Sequence, residues 1–171
     1  MSASVRVAEV SDTPRLAALS RGAKLTYLAW APHGWQPPSF AVERARWERR
    51  LNEPAGWTVL ATRAEGVLGA VHVTDAREEQ GDGSSVPARA HLSGLFVQRS
   101  RWGEGIGSQL LAAAMSEMRE RGYADAELFT AEANARSRAF YEARRWRVAA
   151  ADPAQHDGLT LIGYGRVVQR R

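Results

Sequence analysis

Hydrophobic residues recur along this chain at two different spacings. Alternation of hydrophobic and polar residues or a short apolar run, both typical of strands, predicts strands at residues 5–10, 90–97, 125–131, 147–151 and 159–168, and two more within 56–76 that meet at Glu65-Gly66. A spacing of about 3.6 residues, typical of an amphipathic helix, predicts helices at residues 11–30, 41–53, 107–122 and 134–146. Segments 31–40 and 77–89 are predicted to be loops because proline, glycine or polar residues dominate them.

Local signals mark where these elements begin and end. Ser11 or Asp12 is the expected cap of the first helix, and Pro14 lies in its first turn, where a missing N–H is tolerated. Gly122 is the expected stop of the third helix, because glycine readily adopts the left-handed conformation that ends helices. The last two strands are expected to close as a hairpin around residues 152–158.

The order of the elements predicts the fold class. Strands and helices alternate in the second half, which implies parallel pairing, whereas strands adjacent in sequence in the first half and at the end imply antiparallel pairing. The expected fold is therefore α/β, with a mixed, mostly antiparallel central sheet and helices on both faces. A length of 171 residues is typical of a single domain, here residues 1–171.

Composition narrows the class of protein further. Hydrophobic residues make up 44% of the chain and charged residues 25%, the mean hydropathy is −0.38, and no apolar run is long enough to span a membrane. The first residues lack the apolar stretch of a secretory signal, so we expect a cytoplasmic protein with no membrane partner. The absence of cysteine excludes disulfides, thiolate metal sites and a cysteine nucleophile.

The net charge of +4 and the sequence pI of about 10.1 raise the question of a nucleic-acid partner. The arginines are spread along the whole chain without a basic block, and Lys24 is its only lysine. We therefore expect no nucleic-acid binding. A positive field of this kind still favours an anionic small-molecule ligand.

The segment RSRWGEGIGSQLL, residues 99–111, has three glycines at alternate positions directly before a predicted helix. N–H groups at a helix N-terminus are unpaired, and glycines leave room for an anion to approach them, so the segment fits a phosphate or pyrophosphate cradle. It is not a Walker loop, because Gly107 is followed by Ser108-Gln109, and the glycine spacing differs from the dinucleotide fingerprint. A plain tight turn before the helix is the alternative.

This segment and the strand before it resemble the coenzyme A-binding signature of the GNAT superfamily of N-acetyltransferases. The matching residues are Val97, Gly105 and Gly107, with Gly103 as a common extra glycine. Trp102 departs from the signature, since arginine or glutamine is usual there. Arg99 and Arg101 are close enough in sequence to supply positive charge instead.

A second segment, NARSRAFYEARRW (residues 134–146), resembles a later motif of the same family. Asn134, Phe140 and Tyr141 match that motif, whereas Arg145-Trp146 replaces the usual Gly-Phe. The resemblance covers nearly the whole chain. Its specific motifs lie within residues 92–146, and the elements of the acceptor site are expected mainly within residues 20–90.

The resemblance implies acetyl-CoA as co-substrate and no metal. N–H groups of the glycine loop would hold the pyrophosphate, and the pantetheine arm would pair with strand 90–97 in a wedge where this strand and strand 125–131 splay apart. The implied cofactor-binding residues are Leu95, Phe96, Val97, Trp102, Gly103, Glu104, Gly105, Ile106, Gly107, Ser108, Asn134, Phe140 and Tyr141.

Tyr141 resembles the general acid that protonates the departing thiolate in this family. A main-chain N–H near Leu95 or Phe96 is the expected donor to the oxyanion. His91 is our candidate for the general base, because it lies on the strand leading to the cofactor, where many relatives carry a glutamate. His72 on the neighbouring strand and bulk water are the alternatives.

The acceptor side is predicted less specifically. Candidate carboxylates for an ammonium group are Asp75, Glu43 and Glu48, although a solvated surface position is the favoured interpretation for each. Aromatic residues in the region where the family builds its acceptor pocket are Tyr27, Trp30, Trp35 and Trp47. Core packing explains most such residues, and one or two are expected to line a substrate slot.

The expected function is transfer of an acetyl group from acetyl-CoA to a primary amine of a small molecule by direct attack. The alternatives are a protein or peptide N-acetyltransferase, which needs an open groove, and a non-catalytic acyl-CoA-binding domain. The expected partners are a small-molecule amine and, since dimers are common in such families, a second copy of the chain.

Overall fold

The computed structural model describes residues 3–78, 83–149 and 153–169. Eight strands form one sheet: β1 (Ser4–Val7), β2 (Trp57–Arg63), β3 (Gly66–Arg77), β4 (Ser85–Val97), β5 (Asp125–Ala131), β6 (Arg147–Val148), β7 (Ala154–His156) and β8 (Leu159–Val167). The four α-helices are α1 (Thr13–Leu25), α2 (Phe40–Asn52), α3 (Ile106–Glu120) and α4 (Ala135–Glu142). Among the described residues, none of the helices has the length and apolar character needed to cross a bilayer.

The strand order is β1-β2-β3-β4-β5-β8-β6, with β7 also paired to β8. Every pairing is antiparallel except that of β4 with β5, which are joined through α3. A parallel pair needs such a crossover, because the chain must return to the same end of the sheet. The predicted fold class, a mixed and mostly antiparallel sheet, is confirmed.

The parallel pair opens towards its C-terminal end. Residues 89–92 of β4 pair with residues 125–128 of β5, and beyond Leu92 the two strands no longer pair with each other. From there β4 pairs only with β3, and β5 pairs only with β8. This is the splayed pair that the family resemblance implies, and it leaves one edge of β4 unpaired up to Val97.

The helices cover both faces of the sheet, and a separate hydrophobic cluster lies under each layer. Leu16 of α1, Trp47 of α2 and Phe96 of β4 belong to one cluster. Leu110 of α3 and Tyr141 of α4 belong to the other. Because successive strand side chains point to opposite faces, β4 contributes to both clusters and anchors both helix layers at the wedge.

The helix signals in the sequence act largely as predicted. Asp12 is the N-cap of α1, and Gly122, with a φ of 84°, follows the end of α3. The Ser39 hydroxyl caps α2 by accepting a hydrogen bond from the Val42 N–H at 3.3 Å. The Asn134 side chain caps α4 in the same way.

Two predicted loops contain strand. The loop expected at residues 77–89 is wrong for residues 85–89, which extend β4 by pairing with β3 and β5, while residues 79–82 lie outside the described residues. The loop expected at residues 152–158 contains β7. Its turn is Asp157-Gly158, where both residues have positive φ, as a tight two-residue hairpin turn requires.

Candidate active site

The three glycines before α3 have two different roles. Gly103 and Gly105 adopt φ values of 87° and 80°, which only glycine reaches without strain, and a Cβ at either position would point into open space. A Cβ at Gly107 would lie 3.3 Å from Cε2 of Phe140. The first two glycines therefore shape an open loop, and the third lets α3 approach α4.

This loop presents a set of unpaired main-chain donors. The first main-chain bond of α3 runs from the Gln109 N–H to the Gly105 carbonyl oxygen at 3.0 Å. Among the described residues, no acceptor is recorded for the N–H groups of Gly103, Gly105, Ile106, Gly107 and Ser108. Unpaired N–H groups at the positive end of a helix dipole form a site for an anion.

Trp102 connects this loop to its surroundings, at the position that departs from the family signature. Its indole Nε1 donates to the Val97 carbonyl oxygen at 3.1 Å, which ties the loop to the end of β4. The Arg136 guanidinium stacks over the indole ring, 4.0 Å from the ring centre. Arginine or glutamine, the usual residues at this position in the family, have flexible polar side chains. The Trp102 side chain is instead fixed between β4 and α4.

A cavity of about 830 Å³ begins at this loop and draws its lining from both faces of the sheet. Every predicted cofactor residue lines it except Glu104: Leu95, Phe96, Val97, Trp102, Gly103, Gly105, Ile106, Gly107, Ser108, Asn134, Phe140 and Tyr141. Four arginines also line it: Arg99, Arg101, Arg136 and Arg144. The donors, the positive charge and the unpaired edge of β4 are therefore brought together along one cavity.

The Phe96 side chain packs on the opposite face of the sheet from its neighbours Leu95 and Val97. Its ring packs edge-on against Trp47, with 6.3 Å between ring centres, in the cluster under α1 and α2. Leu95 and Val97 pack against the opposite cluster. Main-chain groups of this strand segment are consequently held in place by packing on both sides.

Tyr141 lies on α4, and its ring is almost completely buried. The ring contacts Phe140, Trp146 and Tyr164, with ring centres 5.2, 6.0 and 6.4 Å away. Its hydroxyl makes no hydrogen bond to any described residue. Burial raises the pKa of Tyr141 well above its usual value, so the phenol stays protonated and is free to donate a hydrogen bond within the cavity.

Asn134 and Phe140 are fixed by local structure. The Asn134 Oδ1 accepts from the Ser137 N–H at 3.1 Å, which leaves the two amide hydrogens of its side chain as donors beside the cavity. Arg144 lies over the Phe140 ring at 3.8 Å and donates to the Ser108 hydroxyl at 2.6 Å. This places a cation next to the start of α3.

Two predicted site residues, Glu104 and His91, do not line the cavity. The Glu104 carboxylate pairs with Arg63 at 2.7 Å and Arg101 at 3.4 Å. His91 follows Ala90 of the α3-side cluster, so it faces the α2 side, where its Nδ1 lies 3.3 Å from Oε1 of Glu127 without hydrogen-bond alignment. His91 is therefore near the wedge but outside this cavity.

His72, the alternative base, is fully buried between β2 and α2. Its Nδ1 is 2.8 Å from the Thr58 hydroxyl, and its ring packs edge-on against Trp47. Burial, with the nearby Arg50 charge, lowers the pKa of His72 to about 3, and the Glu53 carboxylate, 3.7 Å from Nε2, makes no hydrogen bond to the ring. Neutral and enclosed, His72 is a core residue.

The buried neutral state of His72 predicts a pH-dependent stability. Below its ordinary pKa of about 6.5, the unfolded chain binds a proton that the folded chain does not, so stability falls as the pH drops from about 6.5 towards 3. We expect the His72 contribution to approach about 1.4 kcal/mol per pH unit within this window. Urea unfolding at pH 6.5 and pH 4.5 measures it. An equal loss of stability in the His72→Asn variant would contradict this explanation.

Of the four aromatic residues in the acceptor region, two line the cavity and two do not. Tyr27 and Trp30 line the cavity and stack on each other, 4.7 Å between ring centres. Trp47 is wholly buried in the core. Trp35 packs 6.1 Å from Tyr27 and donates from its indole to the Asp157 carbonyl oxygen at 2.8 Å, so the loop between α1 and α2 contacts the β7–β8 turn.

The three candidate carboxylates for an ammonium group already have partners. Asp75 accepts from the Tyr123 hydroxyl at 2.6 Å. Glu48 pairs with Arg44 on the surface of α2. Glu43 is completely buried and accepts hydrogen bonds from Ser20, Lys24 and Arg46.

The sequence prediction missed Arg136 and Arg144, which line the cavity, and it named Tyr27 as one of four aromatic residues of which one or two were expected to line a substrate slot. The signal for the arginines was present, because five arginines occur within residues 134–147. Which of them face the cavity depends on how α4 packs. No group of three or more potential metal ligands is found in the part of the chain that the structure describes.

Solved structures with the same fold include three acetyltransferases. PaiA N-acetyltransferase of Thermoplasma acidophilum in complex with coenzyme A has a TM-score of 0.72 at 17% identity, covering 95% of this chain and 98% of its own. The ribosomal-protein-alanine N-acetyltransferase of Brucella melitensis has a TM-score of 0.71 at 22% identity, covering 96% and 99%. YncA of Salmonella typhimurium, solved with acetyl-CoA, has a TM-score of 0.72 at 17% identity, covering 100% and 96%.

Identities this low establish a shared fold, and of the three names only that of the Brucella melitensis protein includes an acceptor. No curated protein sequence matches the chain. The model of the acetyltransferase (GNAT) family, however, matches residues 22–145, which include the glycine loop, the wedge and α4. The chain therefore belongs to the GNAT acetyltransferase family.

Proposed function

We propose that this protein transfers the acetyl group of acetyl-CoA to a primary amine of a small molecule. The observation that carries the proposal is the single cavity that joins the unpaired N–H groups of the glycine loop to the Tyr141 hydroxyl. A volume of about 830 Å³ is within the range of small-molecule and cofactor sites. Acetyl-CoA supplies the acetyl group in activated form, as a thioester.

The residues at the loop end of the cavity fit a diphosphate. The N–H groups of residues 105–108 would donate to its oxygens, and Arg144 and Arg136 would add positive charge beside them. The pantetheine amides would bind along the unpaired edge of β4 near Leu95 and Val97, as an added strand does. Asn134 would donate its side-chain amide to the same arm.

The residues at the other end fit acyl transfer. When the amine nitrogen forms the new N–C bond, the C–S bond breaks, the nitrogen loses a proton, and the sulfur gains one. Tyr141 would stabilise the developing thiolate by donating its hydroxyl hydrogen, because its raised pKa keeps that hydrogen in place. A main-chain N–H of the β4 edge near Leu95 would stabilise the carbonyl oxygen as it becomes negative.

His91 remains our predicted base, acting through water. Its side chain is a quarter exposed on the α2 side of the wedge, and Glu127 lies beside it. A neutral imidazole there would accept the proton that the amine loses. Because His91 does not line the cavity itself, a water molecule is needed between the two.

A small-molecule acceptor is favoured over a peptide by the contact that closes the acceptor side. Trp35, from the loop between α1 and α2, donates to Asp157 in the β7–β8 turn, and Gly158 packs against the same indole. An extended peptide needs an open groove between these two segments. We expect the contact to block such a groove.

The experiment that tests the proposal is thiol release from acetyl-CoA in the presence of a panel of primary amines, paired with calorimetry of acetyl-CoA binding. We expect binding, and release that depends on the amine. Binding without release for every amine would support the alternative of a non-catalytic acyl-CoA-binding domain. Release only with peptide amines would support the protein N-acetyltransferase alternative.

A further inference from the structure

A second pocket, of about 470 Å³, lies beside α2 and shares no lining residue with the acyl-CoA cavity. Its lining residues are Arg46, Arg49, Arg50, Glu53 and His156. Arg46, Arg49 and Arg50 of α2 and Glu53, which follows the last residue of that helix, lie at positions i, i+3, i+4 and i+7, which places them on one side of the helix. His156 comes from β7, so the pocket lies between α2 and the β7–β8 hairpin.

Two of the three guanidinium groups in this pocket form no ion pair with a carboxylate of the described residues. Arg46 binds Asp157 through two hydrogen bonds of 2.7 Å and also contacts Glu43 at 3.1 Å. Within the described ranges, by contrast, no carboxylate lies within 4.0 Å of Arg49 or Arg50. The pocket therefore holds unpaired positive charge.

Arg50 is fixed in position without being satisfied. Its guanidinium lies 4.8 Å from the centre of the Trp47 ring and donates one long hydrogen bond, of 3.4 Å, to the Ser93 carbonyl oxygen. Burial lowers the pKa of Arg50 to about 10, so it remains charged at neutral pH although it has lost much of its hydration. An anionic ligand would stabilise a cation in this state through paired hydrogen bonds.

The other polar side chains of the pocket, those of Glu53 and His156, do not supply the positive charge that would bind an anion. Glu53 accepts a hydrogen bond from the Thr74 hydroxyl at 2.8 Å, and its second oxygen lies on the His72 side. His156 is an exposed side chain, and partial burial lowers its pKa despite the neighbouring Asp157. The unpaired charge is therefore that of Arg49 and Arg50.

The pocket is within reach of the reaction centre. Ser93, which Arg50 contacts, is the extra residue of a β-bulge in β4, two residues before Leu95 in the cavity lining. Two residues of strand span about 7 Å. The Ser93 Oγ and the His91 Nδ1, on the same strand, are buried without a hydrogen-bond partner among the described residues, although neither residue lines either pocket.

We propose that this pocket binds a compact anionic group of the acceptor, so that the acceptor is an amine that also carries a carboxylate or a phosphate a few bonds away. The assignment rests on the acetyltransferase function proposed above. Arg49 and Arg50 hold the anionic group, and the bulge at Ser93 separates that group from the amine at the wedge.

Thiol release is measured at pH 9 with matched acceptors: a panel of amino acids each beside its carboxamide, and O-phosphoethanolamine beside ethanolamine. We expect kcat/KM for the acid to exceed that for its neutral partner by about tenfold or more, since a charge-assisted hydrogen bond contributes about 1.5–3 kcal/mol. The two arms distinguish a carboxylate from a phosphate.

Three variants test whether Arg49 and Arg50 cause the preference for the acid. Arg49→Gln and Arg50→Lys should each reduce the preference for the acid about tenfold by raising the KM of the acceptor, with the KM of acetyl-CoA unchanged. Arg44→Gln is the control, because Arg44 is exposed and pairs with Glu48 outside the pocket. Equal kcat/KM values for acids and their neutral partners would overturn the anion site alone. A preference that neither Arg49→Gln nor Arg50→Lys changes would do the same. No release with any amine overturns the acetyltransferase function with it.

Discussion

Replacing Tyr141 by phenylalanine is expected to lower kcat for acetyl transfer by about 100-fold, since a positioned proton donor contributes about 10²–10⁴ in rate. The change removes only the hydroxyl, which makes no hydrogen bond to the described residues, and it keeps the ring contacts with Phe140, Trp146 and Tyr164. The KM of acetyl-CoA and the thermal stability should therefore stay close to the wild-type values. Steady-state thiol release and a thermal melt measure the two effects.

Tyr164→Phe is the matched control for this prediction. The Tyr164 ring lies in the same cluster, but its hydroxyl donates to Glu142 at 2.6 Å and does not line the cavity. We expect this variant to lose about 1 kcal/mol of stability with kcat unchanged. Equal kcat in Tyr141→Phe and the wild type would show that Tyr141 does not donate to the leaving group.

The sequence predicted the fold well where one feature alone determines the local structure. Short segments rich in hydrophobic residues predicted β2, β3 and β5, and a glycine that must adopt a positive φ predicted the end of α3 at Gly122. Prediction failed at residues 85–89, where polar composition suggested a loop. There the strand is stabilised by backbone pairing with two neighbours, and single-sequence patterns contain no information about that pairing.

In the candidate site, too, some residues could be predicted from the sequence and others could not. The glycine loop could be located from its three glycines directly before a predicted helix, and the α4 motif from its resemblance to a motif of the GNAT family. His91 could not be placed, because its distance from the cavity depends on how far β4 and β5 diverge. Arg50 was missed for a similar reason: in sequence it is one of many charges on an amphipathic helix, and only packing over Trp47 distinguishes it from its exposed neighbours.

We propose separate tasks for the first cavity and the α2 pocket. The glycine loop and the arginines of the first cavity are suited to a polyanionic co-substrate, and the α2 pocket is suited to a compact acid. Arg50 of the α2 pocket donates to Ser93 of β4, and Trp102 of the first cavity donates to Val97 of the same strand, so we expect the rigidity of β4 to fix the distance between the two proposed ligands. Packing of β4 against both core clusters supplies that rigidity.

Gly105→Ala should weaken the binding of acetyl-CoA by about 100-fold, measured as Kd by calorimetry. Gly105 has a φ of 80°, and a methyl group there would extend into the open space in front of the unpaired N–H groups of α3. Displacing the diphosphate from two charge-assisted hydrogen bonds, at about 1.5–3 kcal/mol each, would produce a loss of this size or greater. The strained backbone should also lower stability by about 1–2 kcal/mol.

Gly122→Ala separates these two effects, because Gly122 lies at the opposite end of the same helix, with a φ of 84° and the same open space around a Cβ. Both variants should lose a similar amount of stability in urea unfolding, since the same left-handed strain acts in each. Only Gly105→Ala should lose affinity for acetyl-CoA. If the two variants bind it equally well, the main-chain donors at the start of α3 do not hold the diphosphate, because the methyl group would then stand in their path without consequence.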